Sequence, residues 1–121
     1  MQETEAAVKI EQFIRDVPDF PVKGVIFKDI TPLMGNHKGM KAAVRMIHDY
    51  FKDRKIDYVV GIESRGFIFG SLLADRLSAG FVPVRKPGKL PYKTLSKSYS
   101  LEYGTNTIEI HTDAIPAGAR V

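Results

Sequence analysis

The chain has 121 residues, 44% hydrophobic and 26% charged, with a formal net charge of +4 and no cysteine. That length allows one domain with a modest core, and the composition excludes a disordered chain, a disulfide framework and thiolate catalysis. The opening "MQETEAAVKIEQ" is acidic and carries no long apolar run, so neither a signal peptide nor a membrane span is expected and the default location is cytoplasmic.

Residues 4–17 are predicted to form an amphipathic helix, with Ala7, Ile10, Ile14 and Val17 on one stripe. "PDFPVKG" breaks it with two prolines and a glycine. From about His37 to Lys55 a second helix places Met40, Val44, Ile47 and Phe51 on one face. Ile56 to Ile62 is a short continuous apolar run, the pattern of a parallel strand covered on both faces. Phe67 to Leu77 is apolar almost all round, which predicts a buried crossover helix, ended at Gly80 before a strand over Phe81–Val84. Strand, helix and strand together predict a parallel pair. Residues 86–104 show no sustained period and hold Gly, Pro and Ser, so they read as a long functional loop. Thr105 to His111 alternates, with Ile108 and Ile110 on one side and Thr107, Glu109 and His111 on the other, a half-exposed strand. "PAGARV" is a turn leading into a further apolar residue, and no repeat or second domain is visible.

The charges are unevenly spread. Between Asp75 and Glu102 there is no acid, while Arg76, Arg85, Lys86, Lys89, Lys93 and Lys97 all fall there. Aromatics are not interleaved as a single-strand nucleic-acid platform would need, which favours a small, multiply charged anion. In an open parallel sheet, ligands bind beyond the carboxyl ends of the strands. Glu63-Ser64-Arg65-Gly66 lies at one such end and also opens a helix, whose free N–H groups favour an anion. Arg85-Lys86 lies at the end of the next strand. Two strand ends therefore offer cations to one crevice, which suits a phosphate or diphosphate. For Arg65 a structural salt bridge fits the sequence equally well, as a core aromatic does for Phe27. His37, His48 and His111 have no metal-ligand spacing.

"PDFPVKGVIFKDITPL", "GIESRGFIFG", "VPVRKPGKLP" and "SYSLEYG", in this order and spacing, resemble the adenine phosphoribosyltransferase family from about Ile14 to Val121. The resemblance implies an α/β fold, with an open, mainly parallel sheet flanked by helices. It implies a single domain incomplete at its C-terminus: an N-terminal helix and base-pocket segment at about 4–36, a core at 37–85, a flexible loop at 86–104, and a strand and turn at 105–121. The implied activity is transfer of ribose 5-phosphate from 5-phosphoribosyl 1-diphosphate to N9 of adenine, giving AMP and diphosphate with Mg²⁺. A cytoplasmic homodimer without nucleic-acid or membrane partners is expected.

By the same resemblance Glu63, Ser64, Arg65 and Gly66 form the diphosphate loop, which in the family commonly contains a non-proline cis peptide. Arg65 would clamp the leaving diphosphate, with Arg85, Lys86 and Lys89 as further contacts. Phe27 would stack on the purine while backbone groups of Ile26 and Lys28 read its edge. The long loop would be a lid, and Glu102 the proton-handling carboxylate, with Tyr103 beside it. No residue is expected to ligate a metal, Mg²⁺ being held mainly through the donor's diphosphate. After "GxRV" the family continues with a hydrophobic strand, two acids and a Thr/Gly-rich loop that cradles the 5-phosphate, none of which precedes Val121. Lys23 stands where a proline is common. The other readings are a non-catalytic purine- or phosphoribosyl-diphosphate-sensing regulator on the same fold, and an inactive truncated fragment.

Overall fold

A short ladder sets the first elements of the computed structural model, which describes residues 8–101 and 104–121. β1 (Arg15–Pro18) pairs antiparallel with β2 (Ile26–Asp29). Arg15 faces Asp29 at 3.0 Å, and Lys28 reaches Asp16 at 2.6 Å. The helix expected over 4–17 is therefore corrected: a single 3₁₀ turn at Ile10–Phe13 gives way to β1, residues 1–7 lying outside the described part. Two of the stripe residues, Ile14 and Val17, precede a proline by few positions, and the residue before proline is steered from helical to extended backbone.

Two compact units divide the chain, Met1–Ile47 and His48–Val121. In the first, the Thr31 N–H donates to Asp29 Oδ1 (2.9 Å) at the start of α1 (Thr31–Met34). The Gly39 N–H likewise donates to the Asn36 side chain (2.9 Å), an N-cap for α2 (His37–Phe51). Leu33, Met40, Ala43 and Val44 are buried. Gly39 has no room for a side chain, because a Cβ would lie 2.9 Å from the Phe13 ring. Helix α2 stops at Phe51 rather than Lys55. The intervening Lys52-Asp53-Arg54-Lys55 has no apolar face to bury, and Lys55 turns left-handed (φ 52°).

In the second unit β3 (Tyr58–Ile62), α3 (Arg65–Leu77) and β4 (Gly80–Val84) form the expected strand–helix–strand. The strands are parallel, in register from Tyr58 opposite Gly80 to Ile62 opposite Val84. Helix α3 is buried on one face only, at Gly70, Leu73 and Ala74, while Ile68 and Leu72 are exposed. It ends at Ser78, which takes the left-handed cap (φ 56°), and Gly80 opens β4 instead. The start of α3 sits so close to β3 that a Cβ on Gly61 would collide with the Gly66 carbonyl. Glycine at 61 is thus demanded by helix–strand contact, and a Cβ on Gly66 would sit tightly, 3.2 Å from the Gly61 backbone.

Of the long loop expected at 86–104, Thr94–Leu101 is a strand, β5, pairing antiparallel with β6 (Gly104–His111), while 86–93 remains irregular. The hairpin joins β4 through one bridge: Arg85 N–H donates to the Glu109 carbonyl (3.0 Å) and Glu109 N–H to that of Arg85 (2.7 Å). Of the described strands β3 and β4 form the parallel pair, the other two pairs being antiparallel, and the α/β class holds. At the start of β3, the Asp57 and Tyr58 N–H groups donate to the Arg120 carbonyl (2.9 and 3.2 Å). Beside it Ile56, Tyr58, Val60, Leu73, Leu77 and Val121 line an apolar cavity of about 240 Å³. No helix among the described residues is long and apolar enough to cross a membrane.

Candidate functional site

The two parallel strands end together. Ile62 stands opposite Val84, and the Glu63 N–H donates the next rung to the Val84 carbonyl at 3.0 Å. From there one chain turns into α3 at Arg65 and the other runs into Arg85-Lys86. The Glu63–Ser64 peptide is cis. Ser64 occupies the helix N-cap with no side-chain capping bond, so the first-turn N–H groups are not closed off by that hydroxyl.

Glu63 then draws the cations together. Its Oε1 accepts from Arg85 Nε at 3.0 Å and from the Lys86 N–H at 2.9 Å, while Oε2 lies 3.5 Å from Lys89 Nζ. The Glu63 side chain is 11% exposed, against 34% for Arg85 and 50% for Lys89. The carboxylate is thus tucked beneath its cations, which face outward. The Lys86 N–H holds the Glu63 carboxyl below its usual pKa, and Arg85 and Lys89 add to this, against a desolvation that raises it. A depressed carboxylate pKa leaves these bonds intact above the ordinary glutamate value, and they are lost only as pH falls through the depressed one. The Arg85 guanidinium also stands 5.7 Å from the Phe67 ring centroid, and Phe67 meets Phe81 edge-on at 5.9 Å.

A second carboxylate was not singled out by the sequence. Glu109 Oε1 accepts the Gly88 N–H at 3.1 Å, and Oε2 accepts the hydroxyls of Ser96 (2.8 Å) and Thr94 (3.4 Å). The Ser96 hydroxyl above all, then the Gly88 N–H, holds its carboxyl below the usual value. The available signal was its place on the polar side of β6, with Thr107 and His111. His111 Nε2 accepts the Tyr92 N–H at 3.2 Å, so it serves the same connecting segment. The acid-free run from Arg76 to Lys97 is thereby supplied with two acids from outside it.

The sequence-predicted residues fall into three groups. Glu63, Arg85, Lys86 and Lys89 are brought into direct contact, with Ser64, Arg65 and Gly66 next in the chain at the start of α3. Ile26, Phe27 and Lys28 lie in the first unit on β2, where Phe27 meets Phe20 edge-on at 5.1 Å and Ile26 is exposed. Pro18, opposite Ile26, has no N–H to give the Ile26 carbonyl. The Lys28 ammonium is taken by Asp16, so only its backbone remains to read a base edge. Glu102 and Tyr103 lie outside the described residues. Chemically, the second unit offers N–H groups and guanidinium and ammonium charges at one mouth, an arrangement for an anion. Among the described residues no three His, Asp or Glu side chains gather where they could hold a metal ion.

No family model matches the chain. It is 57% identical over 114 residues to an adenine phosphoribosyltransferase of Halothermothrix orenii, covering 94% of this chain and 67% of that one. The crystal structure of adenine phosphoribosyltransferase from Rhodothermus marinus superposes with a TM-score of 0.86 at 54% identity, covering 100% of this chain and 68% of the other. The Saccharomyces cerevisiae adenine phosphoribosyltransferase, solved with adenine and an imino-altritol bisphosphate, gives a TM-score of 0.84 at 38% identity, covering 98% and 69%. The chain thus spans about two thirds of the length of the relatives it matches.

Proposed function

Because the chain belongs to the adenine phosphoribosyltransferase family, a family of glycosyl-group transferases, we propose specific roles for its residues in joining adenine N9 to C1 of 5-phosphoribosyl 1-diphosphate. The observation that carries this reading is the cluster of Arg85, the Lys86 N–H and Lys89 around Glu63 at paired strand ends. As the C1–oxygen bond breaks, negative charge accumulates on the departing diphosphate. Arg65, Arg85 and Lys89, with the N–H groups of Lys86 and the start of α3, would stabilise that charge. Phe27 would stack on adenine, with the Ile26 and Lys28 backbones reading its edge. The β5–β6 hairpin would exclude water from a centre with oxocarbenium character, where hydrolysis competes. Glu102 would manage the proton at the purine ring as N9 forms its new bond, with Tyr103 beside it. Mg²⁺ would reach the site on the donor's diphosphate and help neutralise it. Homodimeric assembly and a cytoplasmic location belong to the same proposal.

Adenine presents an amino donor and a ring-nitrogen acceptor on the edge where hypoxanthine reverses both. Two mismatched buried groups at about 1–3 kcal/mol each should favour adenine by at least about 30-fold in kcat/KM. Steady-state rates with adenine, hypoxanthine and guanine at saturating donor test this, and comparable efficiency with hypoxanthine would overturn the adenine assignment.

Arg65→Ala should weaken diphosphate and donor binding by about tenfold or more, the worth of one charge-assisted contact, and leave adenine affinity within about twofold. Calorimetric titration of each ligand reads both numbers. Unchanged donor affinity would return Arg65 to a structural ion pair.

A further inference from the structure

Glu109 bonds two different parts of the second unit with its two carboxylate oxygens. Oε1 holds the Gly88 N–H, in the turn between Lys86 and Lys89 where Gly88 itself is left-handed (φ 82°). Oε2 holds Ser96 and Thr94, at the base of the hairpin. The main chain of the same residue is paired with Arg85. The segment from Arg85 to Lys89 is consequently fixed by two carboxylates, Glu63 at its beginning and Glu109 at its turn. Where Lys89 stands relative to the Lys86 N–H depends on that turn.

We propose that Glu109 is a positioning residue that couples the β5–β6 hairpin to the cationic segment Arg85–Lys89, so that the set of the hairpin and the affinity for diphosphate change together. The proposal rests on the reading of that segment as the diphosphate site, and it adds to that reading a residue that touches no substrate. A carboxylate suits the task because each oxygen accepts independently, one from a main-chain N–H and one from hydroxyls. Glutamine keeps most of this: its carbonyl can accept from Gly88, and its amide can donate to the Ser96 hydroxyl. Alanine keeps none. Ser96→Ala is the sharper probe, because Ser96 is exposed and bonds none of the cations, yet its loss leaves Oε2 only the longer Thr94 bond.

The test is calorimetric titration of inorganic diphosphate into the full-length protein and its variants, with donor and adenine KM measured beside it. Glu109→Ala should weaken diphosphate about tenfold and Ser96→Ala about threefold, each raising donor KM while adenine KM stays within about twofold. Glu109→Gln should restore diphosphate affinity to within about threefold of wild type. The Glu109→Ala/Ser96→Ala double variant should be no weaker than Glu109→Ala alone, since the two act through one bond. Wild-type protein that binds diphosphate while Glu109→Ala and Ser96→Ala bind it equally well overturns the coupling and leaves the functional reading standing. Equal rises in donor and adenine KM also overturn it, because they indicate general loosening. Wild-type protein that binds no diphosphate overturns the functional reading, and the coupling with it.

Discussion

Residues 1–121 produced alone are expected to make no measurable AMP and to unfold without a cooperative transition. Among the described residues β3 pairs with β4 only, and a parallel sheet is stable when both faces are covered and its edges are managed. Val60 and Ile62 on β3 are 38% and 50% exposed, and Val121 is 64% exposed beside the apolar cavity of about 240 Å³. Relatives that match this chain are about half as long again. A protein extended to their length should recover both a sharp thermal transition and transferase activity. The measurements are differential scanning calorimetry and a coupled assay for AMP or diphosphate, run on both lengths. A stable, active protein of 121 residues would overturn this expectation.

Glu102→Gln should lower kcat by about 100-fold or more while changing adenine KM far less. A positioned acid or base acts mainly in the transition state, where it contributes about 10²–10⁴. Tyr103→Phe should be much milder. Single-turnover and steady-state rates in the full-length protein separate the chemical step from product release. Near-normal turnover in Glu102→Gln would remove the proton-handling role from this residue.

Some of this architecture is written locally in the chain and some is not. The β3–α3–β4 unit is legible because Tyr58–Ile62 and Phe81–Val84 are continuous apolar runs, and the helix between them carries Leu73 and Ala74 on one side. The N-terminal stripe misled because Ile10, Ile14 and Val17 satisfy a helical spacing while the energy that decides the backbone comes from elsewhere. Ile26–Asp29, at least eight residues away, pairs with Arg15–Pro18 as an antiparallel ladder and holds the segment extended, the exposed Arg15–Asp29 and Lys28–Asp16 pairs adding little. The hairpin was hidden for a different reason. Leu95, Tyr99 and Leu101 share one face of β5 opposite Thr94, Ser96, Ser98 and Ser100, but Lys97 interrupts that face and seven of the eight residues are exposed, so the pattern is not that of a core strand. At the candidate site, the cations could be read from their places after two strands. The place of Glu63 could be read too, but not its grip on the cations, nor that of Glu109, because the two acids reach the Arg85–Lys89 segment from more than twenty residues away on either side. Sequence composition placed a positive field there, and the folded chain shows it held in position by two buffered negative charges.

The hairpin's shape has a mechanical consequence. Eight paired residues at about 3.3 Å each make an arm roughly 25 Å long. Its root is fastened at Glu109, Ser96 and Thr94, and its far end is the Leu101–Gly104 pair. Such an arm is a lever with a short side and a long one. A rotation of about 10° at the root sweeps the far end through roughly 4 Å, more than the length of a hydrogen bond. A rotation where the Gly88 turn meets Glu109 would therefore be felt most at the Leu101–Gly104 end, farthest from the cations.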